Sequence, residues 1–176
     1  EYPFLPVRLF KDYELVSVDR SQIIKTMTSS GTTGQRVSKI FLDRKTATNQ
    51  TKVLAKIAAS LIGPKRLPLL IVDTKAVVKN RNLFSARGAG ILGFSMFGVD
   101  VTYALNEDMS LNIDAIKIFC EKHRKDNILI FGFTYIIWEH FFKTLSNSRQ
   151  TLELKNATLL HGGGWKKLFE EAVDNR

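Results

Sequence analysis

The stretch Thr28-Ser29-Ser30-Gly31-Thr32-Thr33-Gly34 sets hydroxyls and two glycines into seven residues, and Gln35-Arg36-Val37-Ser38-Lys39 adds two basic side chains. Hydroxyls and free backbone N–H groups are what a polyphosphate needs from a loop. Glycine lets the main chain approach an anion closely, and a run of N–H groups pointing one way makes an anion-binding nest. A polar turn between two strands accounts for the same residues, because Gly, Ser and Thr favour turns. The loop is not a Walker A site: Gln35-Arg36 follows Gly34 where Lys-Ser/Thr would be needed, and Val37 to Leu42 has the pattern of a strand.

A second glycine cluster, His161-Gly162-Gly163-Gly164-Trp165-Lys166-Lys167, falls at the end of an apolar run. Three glycines expose backbone polar groups and let a planar ring slide against the chain; a helix N-terminus behind them would favour an anion. An ordinary strand-to-helix turn explains them equally well. In Gly132-Phe133-Thr134-Tyr135 the rings suit either an apolar ligand slot or core packing. The three histidines, His123, His140 and His161, lack metal-ligand spacing, and no Ser-His-Asp set is evident. His123 lies among charges and is expected in solvent, while His140 is expected to pack. Cys120 falls on the inward side of a helical pattern and is expected to be a buried structural thiol. Asp73 closes an apolar strand pattern, as a cap or a polar ligand. Arg87, amid small residues, fits an anion clamp or a surface charge.

These residues need elements to hold them. Ile23–Thr28 and Val37–Leu42 predict a hairpin around the first loop. Residues 43–63 predict a helix capped by Asp43 and stopped at Gly63-Pro64. Beyond Pro68, apolar runs alternate with helical patterns: strands at 69–73, 99–105, 127–132 and 157–160, and helices at 86–98, 112–125, 133–145 and 165–175. The first residues, with Pro3 and Pro6, predict an extended segment laid over the core. The expected fold is therefore α/β, a parallel β-sheet with helices on both faces, and ligands are expected in the crevice at the strand C-termini.

The chain has 176 residues, enough for one core. Its charge is 26 basic minus 17 acidic residues, +9, which suits an anionic partner. The basic residues are dispersed, and no aromatic-basic platform appears, so nucleic acid is not the expected partner. No apolar run is long enough for a membrane span, and no signal peptide is expected at Glu1–Arg8. One cysteine excludes an internal disulfide and fits a cytoplasmic setting.

The two glycine segments around a βαβ core resemble the adenylate-forming superfamily, whose phosphate loop has the form Ser-Gly-Thr-Thr-Gly-x-Pro-Lys; here Ser30-Gly31-Thr32-Thr33-Gly34 is followed by Lys39, two residues late and without the proline. More closely, the chain resembles the LuxE-type acyl-protein synthetases of the bacterial bioluminescence operon. The resemblance rests on Phe4–Phe10, Ser29–Gln35, Ser38–Asp43, Phe84–Gly90, Phe131–Thr134 and His161–Lys167, in the family's order.

That resemblance implies the N-terminal part of an adenylate-forming large domain, residues 1–176, with a hairpin carrying the phosphate loop. It implies a ligase that activates a long-chain fatty acid with ATP and Mg2+ to acyl-AMP, then passes the acyl group to an enzyme cysteine and a partner reductase. Ser29, Ser30, Gly31, Thr32, Thr33, Gly34 and Lys39 would hold the ATP phosphates. Gly162, Gly163 and Gly164 would flank adenine, and Phe133 and Thr134 would border the acyl pocket. The family's later Tyr-Gly-x-x-Glu segment, its acidic ribose-binding residue and its C-terminal lysine domain have no counterpart here. The acylated cysteine is expected beyond Arg176, and the 176-residue chain is expected not to complete adenylation alone. An acyl- or aryl-CoA ligase of the phenylacetate–CoA ligase type, and a non-catalytic nucleotide- or nucleic-acid-binding module, are the alternatives.

Overall fold

A computed structural model describes residues 4–29, 36–79, 86–148 and 151–173. Four parallel strands form the central sheet in the order β4-β3-β5-β6: β3 (Leu67–Thr74), β4 (Gly98–Leu105), β5 (Ile128–Phe133) and β6 (Ala157–Gly162). A separate antiparallel ribbon pairs β1 (Ile23–Thr28) with β2 (Lys39–Asp43), Thr28 opposite Lys39. The second strand thus begins at Lys39 rather than Val37, and the 30–35 connection lies outside the described residues.

The helices are α1 (Leu9–Asp12), α2 (Arg44–Ile62), α3 (Ala86–Ser95), α4 (Ile113–Lys122) and α5, which spans 134–148. Asp43 caps α2 by accepting a hydrogen bond from the Thr46 N–H at 2.8 Å, which satisfies one of the free N–H groups at the helix start. Strand β3 is buried on both faces. Leu69 and Ile71 face Ile91 of α3 and Ile62 of α2, while Leu70 and Val72 face Ile116, Phe119 and Cys120 of α4 and Ile136 of α5. Helices therefore cover both faces, as the alternation of patterns requires. Pro68 is tolerated in this central strand because pairing with β5 begins only at Leu69.

Several boundaries differ from the sequence reading. Helix α3 ends at Ser95 and Gly98 opens β4. A Cβ at position 98 would stand 2.7 Å from Leu69 Cδ2, so the small residue serves strand packing rather than helix packing. Phe133 belongs to β5, and α5 contains a π-helical stretch, Ile137–Phe142, between α-helical ends. The C-terminal helix is a 3-10 segment, Lys166–Glu171. Phe4, Leu5 and Val7 are exposed, so the N-terminal segment does not cover the core. There the Pro6 carbonyl accepts from the Leu9 N–H and starts the α1 turn.

His123 is the clearest correction: it is buried, not solvated. Its Nδ1 lies 2.8 Å from Asp126 and its Nε2 2.7 Å from Asp100. Burial disfavours its charged form, but the hydrogen bonds to Asp126 and Asp100 outweigh that and raise its pKa. Cys120 is buried, and burial pushes its thiol up, as expected of a structural cysteine. No described helix is long and apolar enough to cross a membrane.

Candidate functional site

The helix after β3 packs on one face of the sheet and the helix after β5 on the other, so the neighbouring C-termini of β3 and β5 form the topological switch point. Open α/β sheets bind ligands in the crevice at such a point. The register runs Val72 opposite Gly132 and Phe133 opposite Gly162. The next residues thus set Asp73, Phe133 and Gly162 in one row along the sheet's C-terminal edge, on one face.

Asp73 is fully buried. Its Oδ2 accepts from Arg87 Nε at 2.6 Å, its Oδ1 accepts from Arg87 Nη2, and Oδ1 also accepts from the Thr74 N–H at 2.6 Å. A carboxylate caught in a planar fork in this way is held in position as well as in charge. Arg87 Nη2 also lies 3.4 Å from Met109 Sδ. Met109 takes φ +69, a left-handed conformation uncommon for a side-chain-bearing residue, in the turn after β4. Burial would weaken the Arg87 charge, but Asp73 and then Tyr135 more than compensate, so the guanidinium stays protonated.

On the other side of Phe133, the Thr134 hydroxyl donates to the Gly162 carbonyl at 3.1 Å and lies 3.0 Å from His161 Nδ1. A hydroxyl has one proton. Both contacts are made together only if His161 carries its proton on Nδ1 and donates to Thr134, a tautomer assigned from the network. The chain then turns through Gly163 and Gly164, at φ +87 and +67. A Cβ on Gly163 would meet Phe133 Cδ1 at 2.6 Å, whereas one on Gly162 would meet nothing within 4 Å.

An apolar groove of about 320 Å³ opens along this edge. Leu54, Ile57 and Leu61 of α2 form one wall, and Gly90 and Phe94 of α3 another. Phe131 and Phe133 form its floor, and His161-Gly162 closes its end. Phe94 stacks on Phe131 with ring centroids 4.1 Å apart, which fixes the groove's shape. Volumes of about 300–1,000 Å³ are those of small-molecule sites.

A family model described as acyl-protein synthetase, LuxE, matches residues 1–176. The chain belongs to that family. No curated protein and no solved structure matches it. Membership in the LuxE family makes the general activity that of an acyl-protein synthetase, a ligase.

Within this LuxE-family chain, the residues singled out from sequence fall in two places. Phe133, Thr134, Gly162, Gly163 and Gly164 come together at the sheet edge. Ser29 and Lys39 lie on the β1–β2 ribbon. Ser29 Oγ accepts from the Ser38 N–H at 3.0 Å, and Lys39 Nζ donates to Glu14 at 3.0 Å. Ser30, Gly31, Thr32, Thr33 and Gly34 lie outside the described residues. Among the described residues no cluster of three His, Cys, Asp or Glu is placed to hold a metal ion. The sequence marked Asp73 and Arg87 separately but not their pairing. An acid ending a buried strand and an arginine one residue into the next helix was the available signal. Met109 gave none.

Proposed function

We propose that this chain carries the acid-activating site of an acyl-protein synthetase. A long-chain fatty acid attacks the α-phosphate of ATP, giving acyl-AMP and pyrophosphate; a cysteine thiolate of the enzyme then takes the acyl group as a thioester, releasing AMP, and passes it to a partner reductase. The observation that carries this reading is the apolar groove ending on Gly162, at the switch point of a LuxE-family sheet. An alkyl chain matches the aliphatic and aromatic lining, with Phe133 and Thr134 bordering its head. The open face of Gly162 suits a flat base lying against the main chain beside Gly163 and Gly164.

The β/γ-phosphates fall in this reading to Ser29, Ser30, Gly31, Thr32, Thr33, Gly34 and Lys39, with Mg2+ entering bound to phosphate oxygens. Such chemistry depends on positioning and charge neutralisation. Cys120 is the single cysteine and is buried, so the acyl-accepting cysteine is assigned to sequence beyond Arg176.

The test incubates the enzyme with ATP and labelled tetradecanoate, with and without CoA. The expected products are pyrophosphate and acyl-protein that hydroxylamine cleaves. Acyl-CoA with no labelled protein would replace this reading by that of a CoA ligase.

A further inference from the structure

The apolar groove needs a polar end if its occupant is an acid, and the geometry points to Arg87 as that end. We propose that Arg87, held by buried Asp73, receives the carboxylate of the acyl substrate and makes the groove selective for acids over uncharged amphiphiles of the same length. This rests on the reading that the groove takes the acyl chain.

Three observations set Arg87 beside the groove's strand end, next to rather than among its lining residues. Arg87 precedes Gly90 by three residues and Phe94 by seven, so it continues the stripe of α3 whose next members line the groove. Its anchor Asp73 is next in register to Phe133, the groove's floor at the strand ends. Its side chain retains 26% exposure while Asp73 has none, so the pair presents the arginine, and not the acid, to solvent.

The chemistry follows from the fork. A guanidinium has five N–H donors. Two go to Asp73, one contacts Met109 Sδ and another meets the Tyr135 hydroxyl, which leaves one N–H of the fork for a further acceptor. A carboxylate oxygen at the remaining N–H would make a charge-assisted hydrogen bond in a partly desolvated site. The Asp73 anchor fixes the plane of the fork beforehand, and Met109, itself in an unusual conformation, buttresses Nη2. Arginine rather than lysine suits this task, because one planar group must satisfy two carboxylates at once. Arg87 is thus a specificity-determining residue for the acid.

The experiment titrates the labelled 176-residue chain with dodecanoate, dodecan-1-ol and ATP, each alone, and follows the Phe94, Phe131 and Arg87 Nε signals by NMR. Dodecanoate is expected to move all three, and dodecan-1-ol only the two phenylalanines, with affinity at least tenfold weaker. Arg87→Met leaves buried Asp73 without its cationic partner, with only the Thr74 N–H to bond, and is prone to misfold. The Asp73→Leu/Arg87→Met double variant replaces the pair by apolar groups, and it is expected to fold and to bind acid and alcohol equally. If neither amphiphile moves the phenylalanines, the acyl-groove reading fails, whatever Arg87 does. If both bind wild type equally and Arg87 is silent, the groove stands and the Arg87 assignment is overturned. If ATP moves Arg87 and dodecanoate does not, the anion is a phosphate and the carboxylate assignment is overturned.

Discussion

Gly162 and Gly163 are adjacent and identical, yet alanine at the two positions should have opposite effects. At Gly163 the backbone has φ +87, which costs an L-residue about 1–2 kcal/mol. The new methyl would also stand 2.6 Å from Phe133 Cδ1, against an optimum of about 3.5–4.0 Å for two carbons. Phe133 has little room to yield, because Gly90 of α3 lies close against its ring on one side and Phe131 meets it edge-on at 6.0 Å. Overpacking of this kind costs about 1–3 kcal/mol. The sum is about 2–5 kcal/mol for Gly163→Ala. With a urea m-value of about 2 kcal/mol/M, the unfolding midpoint should fall by roughly 1–2.5 M. At Gly162 the methyl meets nothing, and Gly162→Ala should leave the stability unchanged or raise it slightly, by about 0.4–1 kcal/mol, through the unfolded chain. Its effect should appear only with nucleotide, as at least a tenfold loss of ATP affinity by calorimetry. A Gly163→Ala cost below about 1 kcal/mol would refute the steric argument. Unchanged ATP affinity in Gly162→Ala would remove that residue from the nucleotide bed.

Asp73→Asn should destabilise the chain by about 3 kcal/mol, the lower end for breaking a buried pair because Arg87 keeps some solvent; a urea midpoint within 0.2 M of wild type would show that the pair is not structural. His123 has a raised pKa in the fold, so its contribution is complete below the unfolded value of about 6.5 and is lost as pH rises through the folded value. Asp100, lowered by Lys122 and then His123, contributes above its unfolded value of about 3.9 and loses that contribution as pH falls through its folded value. The urea midpoint should therefore decline from pH 6 to 9 in wild type and less steeply in His123→Gln; parallel slopes would end that account. Thr32→Ala with Lys39→Ala should slow pyrophosphate release in the complete enzyme, and unchanged ATP affinity and turnover would free both residues from their assigned role. Because Lys39 is paired with Glu14, Glu14→Gln should tighten ATP binding; weaker or equal binding would mean that Glu14 does not compete for the lysine.

Local chemistry was the legible part. Asp43 and Gly63 bound α2 where their types say they should, because caps are decided by neighbours within four residues. The buried run around Leu70 announced a strand covered on both faces, and the alternation of such runs with helical patterns announced the parallel sheet. Burial of His123 was hidden because one of its partners, Asp100, is 23 residues away and reaches it only across the fold. The small apolar residues from Ala86 onward concealed the end of α3, since nothing local distinguishes a glycine that lets helices pack from one that lets Leu69 pass. The π-helical turn was equally invisible: Ile136, Ile137, His140 and Phe141 fit either helical period. Meeting of Asp73 with Arg87 needed the sheet's topology, not the motifs themselves.

The π-helical turn has an optical consequence. It carries Trp138, whose indole donates to Glu171 at 2.8 Å and meets the Trp165 ring at 5.1 Å in a T-shaped contact. These are the chain's two tryptophans, and Trp165 directly follows Gly164. The tryptophan emission of the chain therefore arises from one coupled pair fastened to the end of the glycine turn. A ligand that straightens or tightens that turn changes the distance and angle between the rings, so the protein carries its own unlabelled reporter of occupancy at the sheet edge.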